Sequence, residues 1–204
     1  MTKTLSFIAL LVAANSLHAD EALAAPNESY LKENGVLLSI GQVSLDSEVA
    51  AREGVDDSAL YVVAGWEGRY RSNLIVGAGI SLYDYSDNEA FEQLTESSWG
   101  GNERNSSSSA TAYNLYGELG YGVDLAPTVS LDLLAGYEMV LFSERSISYC
   151  SDCYSEDIEI DSGLFVAPRL RFKPWEHWMI ALSYQSYLTG DVESSAQIST
   201  GYVF

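Results

Sequence analysis

Single apolar and polar residues alternate over eight stretches of this chain, and a period of two marks strands with one face in an apolar medium. The stretches are 35–45, 58–70, 73–85, 111–125, 128–143, 160–173, 178–188 and the terminal 193–204, with its tightest alternation over 196–204. The fifth is the clearest, setting Val129, Leu131, Leu133, Ala135 and Tyr137 against Ser130, Asp132, Gly136 and Glu138. The first is the softest, because Val36, Leu37, Leu38 and Ile40 do not sort onto one face. Pro168, inside the sixth, predicts a bulge or a locally open pairing, since proline has no N–H for a ladder. The connections run long (46–57), tight (71–72), long (86–110), tight (126–127), long (144–159), tight (174–177) and short (189–191). By composition 86–110 is the least ordered stretch. This rhythm predicts an all-β fold, an eight-stranded antiparallel up-and-down transmembrane β-barrel, with long loops at one end and both termini at the other.

Three features set the apolar face outward. The glycines, among them Gly65, Gly77, Gly79, Gly120, Gly122 and Gly136, fall mostly on the polar face, and a narrow lumen needs small residues while a solvated exterior does not. The same face carries Glu67, Glu118, Asp132 and Glu138 with Arg69, Arg169 and Arg171, charges able to pair across a small interior. Trp66, Tyr70, Tyr121, Phe172, Trp175, Trp178, Tyr202 and Phe204 gather near the tight turns and the C-terminus, as an interfacial girdle would.

The start of the chain has a different pattern. Lys3 precedes an apolar run from Leu5 to Ala14 and a small-residue site at Leu17-His18-Ala19, which reads as a signal peptide over 1–19. Ala22-Leu23-Ala24 fits the small-x-small cleavage pattern better but lies beyond Asp20 and Glu21. The run is about half the twenty or so residues of a spanning helix, so insertion has to be as strands. Residues 20–34 read as a polar periplasmic lead-in and 35–204 as the barrel.

With 29 acidic against 10 basic residues the formal charge is −19, which argues against nucleic acid and keeps the loop end soluble.

In the last strand Phe204, Tyr202, Thr200 and Ile198 share one face and Val203, Gly201, Ser199 and Gln197 the other. A strand that alternates in this way and stops on an aromatic resembles the closing strand of bacterial outer-membrane barrels, and the connection order resembles their small eight-stranded group: the OmpA transmembrane domain, OmpX and the opacity-type porin family. The resemblance covers 35–204. It implies residence in the bacterial outer membrane among lipid and lipopolysaccharide, as a monomer. It implies recognition of Phe204, Tyr202, Thr200 and Ile198 by the barrel-assembly machinery, and a structural or surface-interaction role through acidic loops toward an unidentified extracellular ligand. A lipid A-modifying enzyme and a small-solute channel are the alternatives.

Candidate chemistry is sparse. A hydrolase acting on surface lipid needs a base near the outer leaflet, whereas His18 lies in the signal peptide and His177 in a turn at the opposite end. No catalytic, cofactor or metal residues are assigned. Cys150 and Cys153 read as a local disulfide in the third long loop. The loop acids Asp46, Glu48, Asp56, Asp57, Asp87, Glu89, Asp152, Glu156 and Asp157 offer calcium ligands, in no spacing of the helix–loop–helix motif. Eight strands enclose an interior that side chains fill, so the expected lumen is plugged.

Overall fold

Residues 30–95, 103–147 and 153–204 are described by a computed structural model, and 31–204 form one unit. In chain order the elements are β1 (Leu31–Leu45), α1 (Ser47–Glu53), β2 (Val55–Tyr70), β3 (Leu74–Asp87), β4 (Glu92–Thr95) and β5 (Arg104–Ser107). There follow β6 (Ser109–Ala126), β7 (Val129–Ser146), β8 (Ser155–Asp157), β9 (Gly163–Phe172), β10 (Trp178–Tyr187) and β11 (Val192–Val203). The long strands pair antiparallel in the circuit β6-β3-β2-β1-β11-β10-β9-β7, and β7 pairs back onto β6, so eight strands close without an edge. Closure at the C-terminus is complete. β11 meets β1 through Ile40↔Ile198 and β10 through Leu182↔Ile198.

The alternation sorts as the period of two requires. Ile198, Thr200, Tyr202 and Phe204 face outward, while Ser195, Ser199, Gly201 and Val203 face the lumen. In β1 Val36, Leu38 and Ile40 are outward, and Leu37, Val43 and Leu45 are buried inside. The pattern there is soft because the lumen itself is partly apolar: Leu37 packs with Met179, Ala181 and Val203. The exterior presents leucine, isoleucine, valine and aromatic side chains from every long strand, far more apolar surface than a water-soluble monomer shows. Trp66, Tyr121, Phe172, Trp178 and Tyr202 ring the tight-turn end, and Tyr113, stacked on Phe142 at 4.7 Å, with Tyr184 stands toward the loop end. Tyr113 and Tyr121 are both on β6. At about 3.4 Å per residue and a tilt of about 40° they are separated by about 20 Å of height, close to the thickness of an outer-membrane apolar band.

Several boundaries differ from the sequence reading. The last residues assigned to the lead-in, 31–34, belong to β1, where Leu31 pairs with Tyr70. The acidic loop 46–57 contains α1. Asp46 caps it, its Oδ1 accepting the N–H groups of Glu48 (2.8 Å) and Val49 (3.2 Å), and Gly54 ends it at φ 66°. Within 86–110, described as least ordered, β4 and β5 form a two-stranded hairpin, and residues 96–102 lie outside the described residues. In the third loop β7 runs on to Ser146 and β8 pairs with it. The sixth strand begins at Gly163 instead of 160.

Pro168 opens the ladder locally without a bulge. β9 pairs with β10 at Ser183↔Arg169 and next at Ser186↔Val166, in unchanged register, so the two intervening pairs are lost. Toward β7 the pairing continues through Leu133↔Pro168. The missing pairs follow from one absent N–H, which leaves the Tyr184 carbonyl without its ladder donor. Pro168→Val supplies that donor and keeps an apolar outward side chain. It is expected to raise the unfolding free energy in lipid vesicles by about 1 kcal/mol. Urea titration measures this, and a loss of stability would show that the Tyr184 carbonyl is satisfied by other means.

Candidate functional site

The lumen divides into a charged half at the tight-turn end and an apolar, aromatic half at the loop end. In the charged half Arg169 is central. Its Nη2 lies 2.5 Å from Glu67 and 3.0 Å from Asp132, and its Nη1 lies 3.6 Å from Glu118. Arg171 donates to Glu67 and reaches Asp132 at 3.2 Å and Glu33 at 3.4 Å. Arg69 holds Asp124 at 2.9 Å, Ser130 at 3.1 Å and Asp132 at 3.9 Å. Asp132 is fully buried and sits directly across the ladder from Arg169. Three arginines and the three buried carboxylates of Glu67, Glu118 and Asp132 thus share one water-poor space, with Glu33 and Asp124 at its edge, and each charge depends on its partners.

Glycines create that space. Glu67 pairs with Gly35 on β1 and Gly77 on β3, and Glu118 with Gly77 on β3 and Gly136 on β7, and Glu118 leans across Gly77, where a Cβ would lie 2.8 Å from its Oε1. The same device seats Tyr116: a Cβ at Gly65 would collide with its hydroxyl and one at Gly79 with its ring.

Glu138 departs from the pairing expected of the lumen charges. It has no ion pair among the described residues and is ringed by hydroxyls, accepting hydrogen bonds from Tyr83 at 2.7 Å and from Ser81 and Tyr187. It stands at the border of the apolar half, where Tyr61, Tyr83, Tyr85, Val43 and Leu45 pack under Val49 and Ala50 of α1 and under Ile158 and Ile160. Between the halves the cavity lined by Tyr61, Tyr116, Glu118, Arg169 and Gln185 measures about 20 Å³, room for about one water.

Above this seal Arg145 joins the loops, beside lesser links in which Arg52 donates to the Glu159 carbonyl at 3.1 Å and the Glu159 N–H donates to Glu53 at 3.0 Å. Arg145 is almost wholly buried. Its Nε donates to Asp87 of β3 at 2.7 Å, its Nη1 to Glu156 of β8 at 3.1 Å, and its Nη2 to the carbonyls of Glu53 (2.7 Å) and Gly54 (3.3 Å) at the end of α1. Asp87 also accepts from the Ser108 hydroxyl at 3.1 Å and from the N–H of Glu89 at 3.1 Å. Arg145 points inward because of an irregularity in β7. The register with β6 steps from Tyr113↔Phe142 to Asn114↔Val140, so Leu141 and Phe142 both face outward and the alternation changes phase.

Sequence reasoning did not identify Arg145, and it counted Asp87 among free loop acids. The available signal was Asp46 and Gly54 spaced as the two caps of a short helix, which places carbonyls near a lone arginine. Other loop acids are also engaged: Asp46 caps α1, Glu156 pairs with Arg145, and Asp56 accepts from Asn88 at 2.8 Å. Glu48, Asp57, Glu89 and Asp157 face solvent at the loop end, and Asp152 lies outside the described residues. No cluster of three metal-ligating side chains occurs among the described residues. His177 lies at the tight-turn end, its Nδ1 3.0 Å from the Val203 carbonyl and its ring stacked on Tyr202. Cys153 is disulfide-bonded, and Cys150 lies outside the described residues.

A closed antiparallel barrel with an apolar exterior, aromatic rings and a packed charged lumen is a transmembrane β-barrel. The chain belongs to the outer membrane protein β-barrel domain family, whose model matches residues 7–204, and it is a protein of the bacterial outer membrane. Similar solved structures include Ail, the attachment invasion locus protein of Yersinia pestis, in complex with the heparin analogue sucrose octasulfate, at 17% identity over 84% of this chain and 98% of that one, with a TM-score of 0.49. Neisserial surface protein A is 12% identical over 86% of this chain and 96% of that one, with a TM-score of 0.47. The N-terminal β-barrel domain of Pseudomonas aeruginosa OprF is 11% identical over 85% and 99%, with a TM-score of 0.43. A search of curated proteins finds no match.

Proposed function

We propose that this protein is a non-enzymatic outer-membrane barrel with a structural or surface-interaction role, exercised through its acidic loop end toward an extracellular ligand. The observation that carries this reading is the Arg145 clamp, which holds α1, β8 and the ends of β3 and β7 as one shaped surface. A binding surface gains affinity when its loops are ordered before the ligand arrives. Beneath it the cavity between the halves of the lumen has room for about one water, which supports a plugged barrel over a channel, and the short-turn, long-loop asymmetry of such barrels supports the clamped end facing outward. The exposed carboxylates there favour a ligand with cationic groups. The same reading has the barrel monomeric among lipid and lipopolysaccharide, and its Phe204, Tyr202, Thr200 and Ile198 recognised by the assembly machinery. It has the chain cleaved after Ala19, and Cys150 bonded to Cys153 at the tip of the third loop.

Replacing 88–107 and 147–159 by short turns tests the role. Adhesion of expressing cells to surfaces coated with basic peptides is expected to fall to the level of cells lacking the protein, while heat-modifiable gel migration persists. Unchanged adhesion would sink the reading, and a lipid A mass shift on expression would point to an enzyme instead.

A further inference from the structure

The tight-turn mouth of the barrel opens into a cavity of about 470 Å³. Lys32, Arg69, Arg171 and Lys173 line it, four of the 10 lysines and arginines in a chain of net charge −19. The carboxylates on the lining are Glu33, Asp124 and Glu176. Two of these are each divided between a rim lysine and an arginine beneath it. Asp124 meets Lys32 at 2.8 Å and Arg69 at 2.9 Å, and Glu33 meets Lys173 at 2.8 Å and Arg171 at 3.4 Å. Arg69 and Arg171 are each 3% exposed, and the Nε–H of each has no hydrogen-bond partner among the described residues. With Glu67 and Asp132 beneath, which also meet Arg171, and Asp132 meeting Arg69, the four cations at the mouth are set among four carboxylates, and two buried guanidinium donors are left without an acceptor.

We propose that this vestibule is a binding site for a phosphate group, held between the rim lysines Lys32 and Lys173 and the guanidinium groups of Arg69 and Arg171. Phosphate suits it better than a carboxylate because its oxygens can accept from several cations at once and can match a guanidinium fork. Asp124 and Glu33 are partly solvated, so giving up one shared contact to an incoming anion costs little. Trp175, 66% exposed, lies on the same lining and continues the aromatic girdle, so the cavity opens both to the periplasm and to the headgroups of the inner leaflet. The phosphate can accordingly come from a soluble ion or from an anionic lipid.

The test uses the full mature chain and reads the indole N–H signal of Trp175, assigned with Trp175→Phe. In dodecyl maltoside micelles sodium phosphate is titrated against sodium chloride at matched ionic strength, and in nanodiscs the fraction of phosphatidylglycerol is raised. A saturable shift is expected in at least one arm. Saturation in micelles identifies soluble phosphate, and saturation in nanodiscs alone identifies the headgroup. In a variant carrying both Lys32→Gln and Lys173→Gln the midpoint moves up roughly tenfold or more, with heat-modifiable migration unchanged. The proposal is overturned if neither arm saturates, or if the double variant titrates like the parent.

Discussion

Arg169→Met is expected to cost the barrel about 3–5 kcal/mol, the largest effect of any single lumen substitution. Methionine roughly fills the volume, so the loss is electrostatic. Glu67, Glu118 and Asp132 all lean on this one guanidinium, and all are nearly or fully buried. Removing it leaves three carboxylates with Arg171 and with Arg69, which touches only Asp132 of the three, at 3.9 Å. Urea unfolding in lipid vesicles, followed by tryptophan emission, gives the stability, and gel migration before and after heating gives the folded fraction. Adding Glu67→Gln to Arg169→Met is expected to recover part of the loss, since it removes one orphaned charge and the two sites are coupled. A loss below about 1 kcal/mol would mean that water enters the lumen and solvates the carboxylates in place of Arg169.

Arg145→Ala is expected to act on the loop end and spare the barrel wall. It strips Asp87 of its cation, releases Glu156, and takes the arginine donor from the Glu53 carbonyl, while the Gly54 carbonyl keeps the N–H of Asn88 at 2.9 Å. Removing one partner of a buried pair costs about 3 kcal/mol or more, which exceeds what a seven-residue helix and a three-residue strand can restore by themselves. Proteinase K should then cut within 46–57 and 153–162 of the folded protein, while the unheated form keeps its compact migration. Arg145→Lys should rescue little, because one ammonium cannot span an acid on β3, an acid on β8 and two carbonyls of α1. Asp87→Asn should be milder, since Glu156 and the carbonyls still hold the guanidinium. Loops in Arg145→Ala that resist protease as well as the parent would remove Arg145 as the clamp, and with it the main support for a pre-shaped binding surface.

These two arginines differ in how far the sequence revealed them. Arg169 and Arg171 fall on the polar face of an alternating stretch with Glu67, Glu118 and Asp132 on the polar faces of three others, so their presence in one lumen follows from the period of two and closure of the sheet. That Glu138 stands apart does not follow, because its ring of Ser81, Tyr83 and Tyr187 is assembled from β3 and β10 around a residue of β7. Arg145 was hidden by the phase change at Leu141 and Phe142. Continued without it, the alternation of β7 would have turned Glu144 inward and Arg145 out.

The sequence by itself determined the strand number, the outward face, the tight turns and the closing role of Ile198 to Phe204. Each of these is written in spacing along one strand or one hairpin, and lipid enforces it by penalising unpaired backbone groups. Only the tertiary structure decided which acid meets which arginine, how α1 and Ile158 close the top of the lumen, and that Arg145 holds the loops. Those contacts join residues brought together by barrel closure, and a local irregularity in one strand is enough to redirect them.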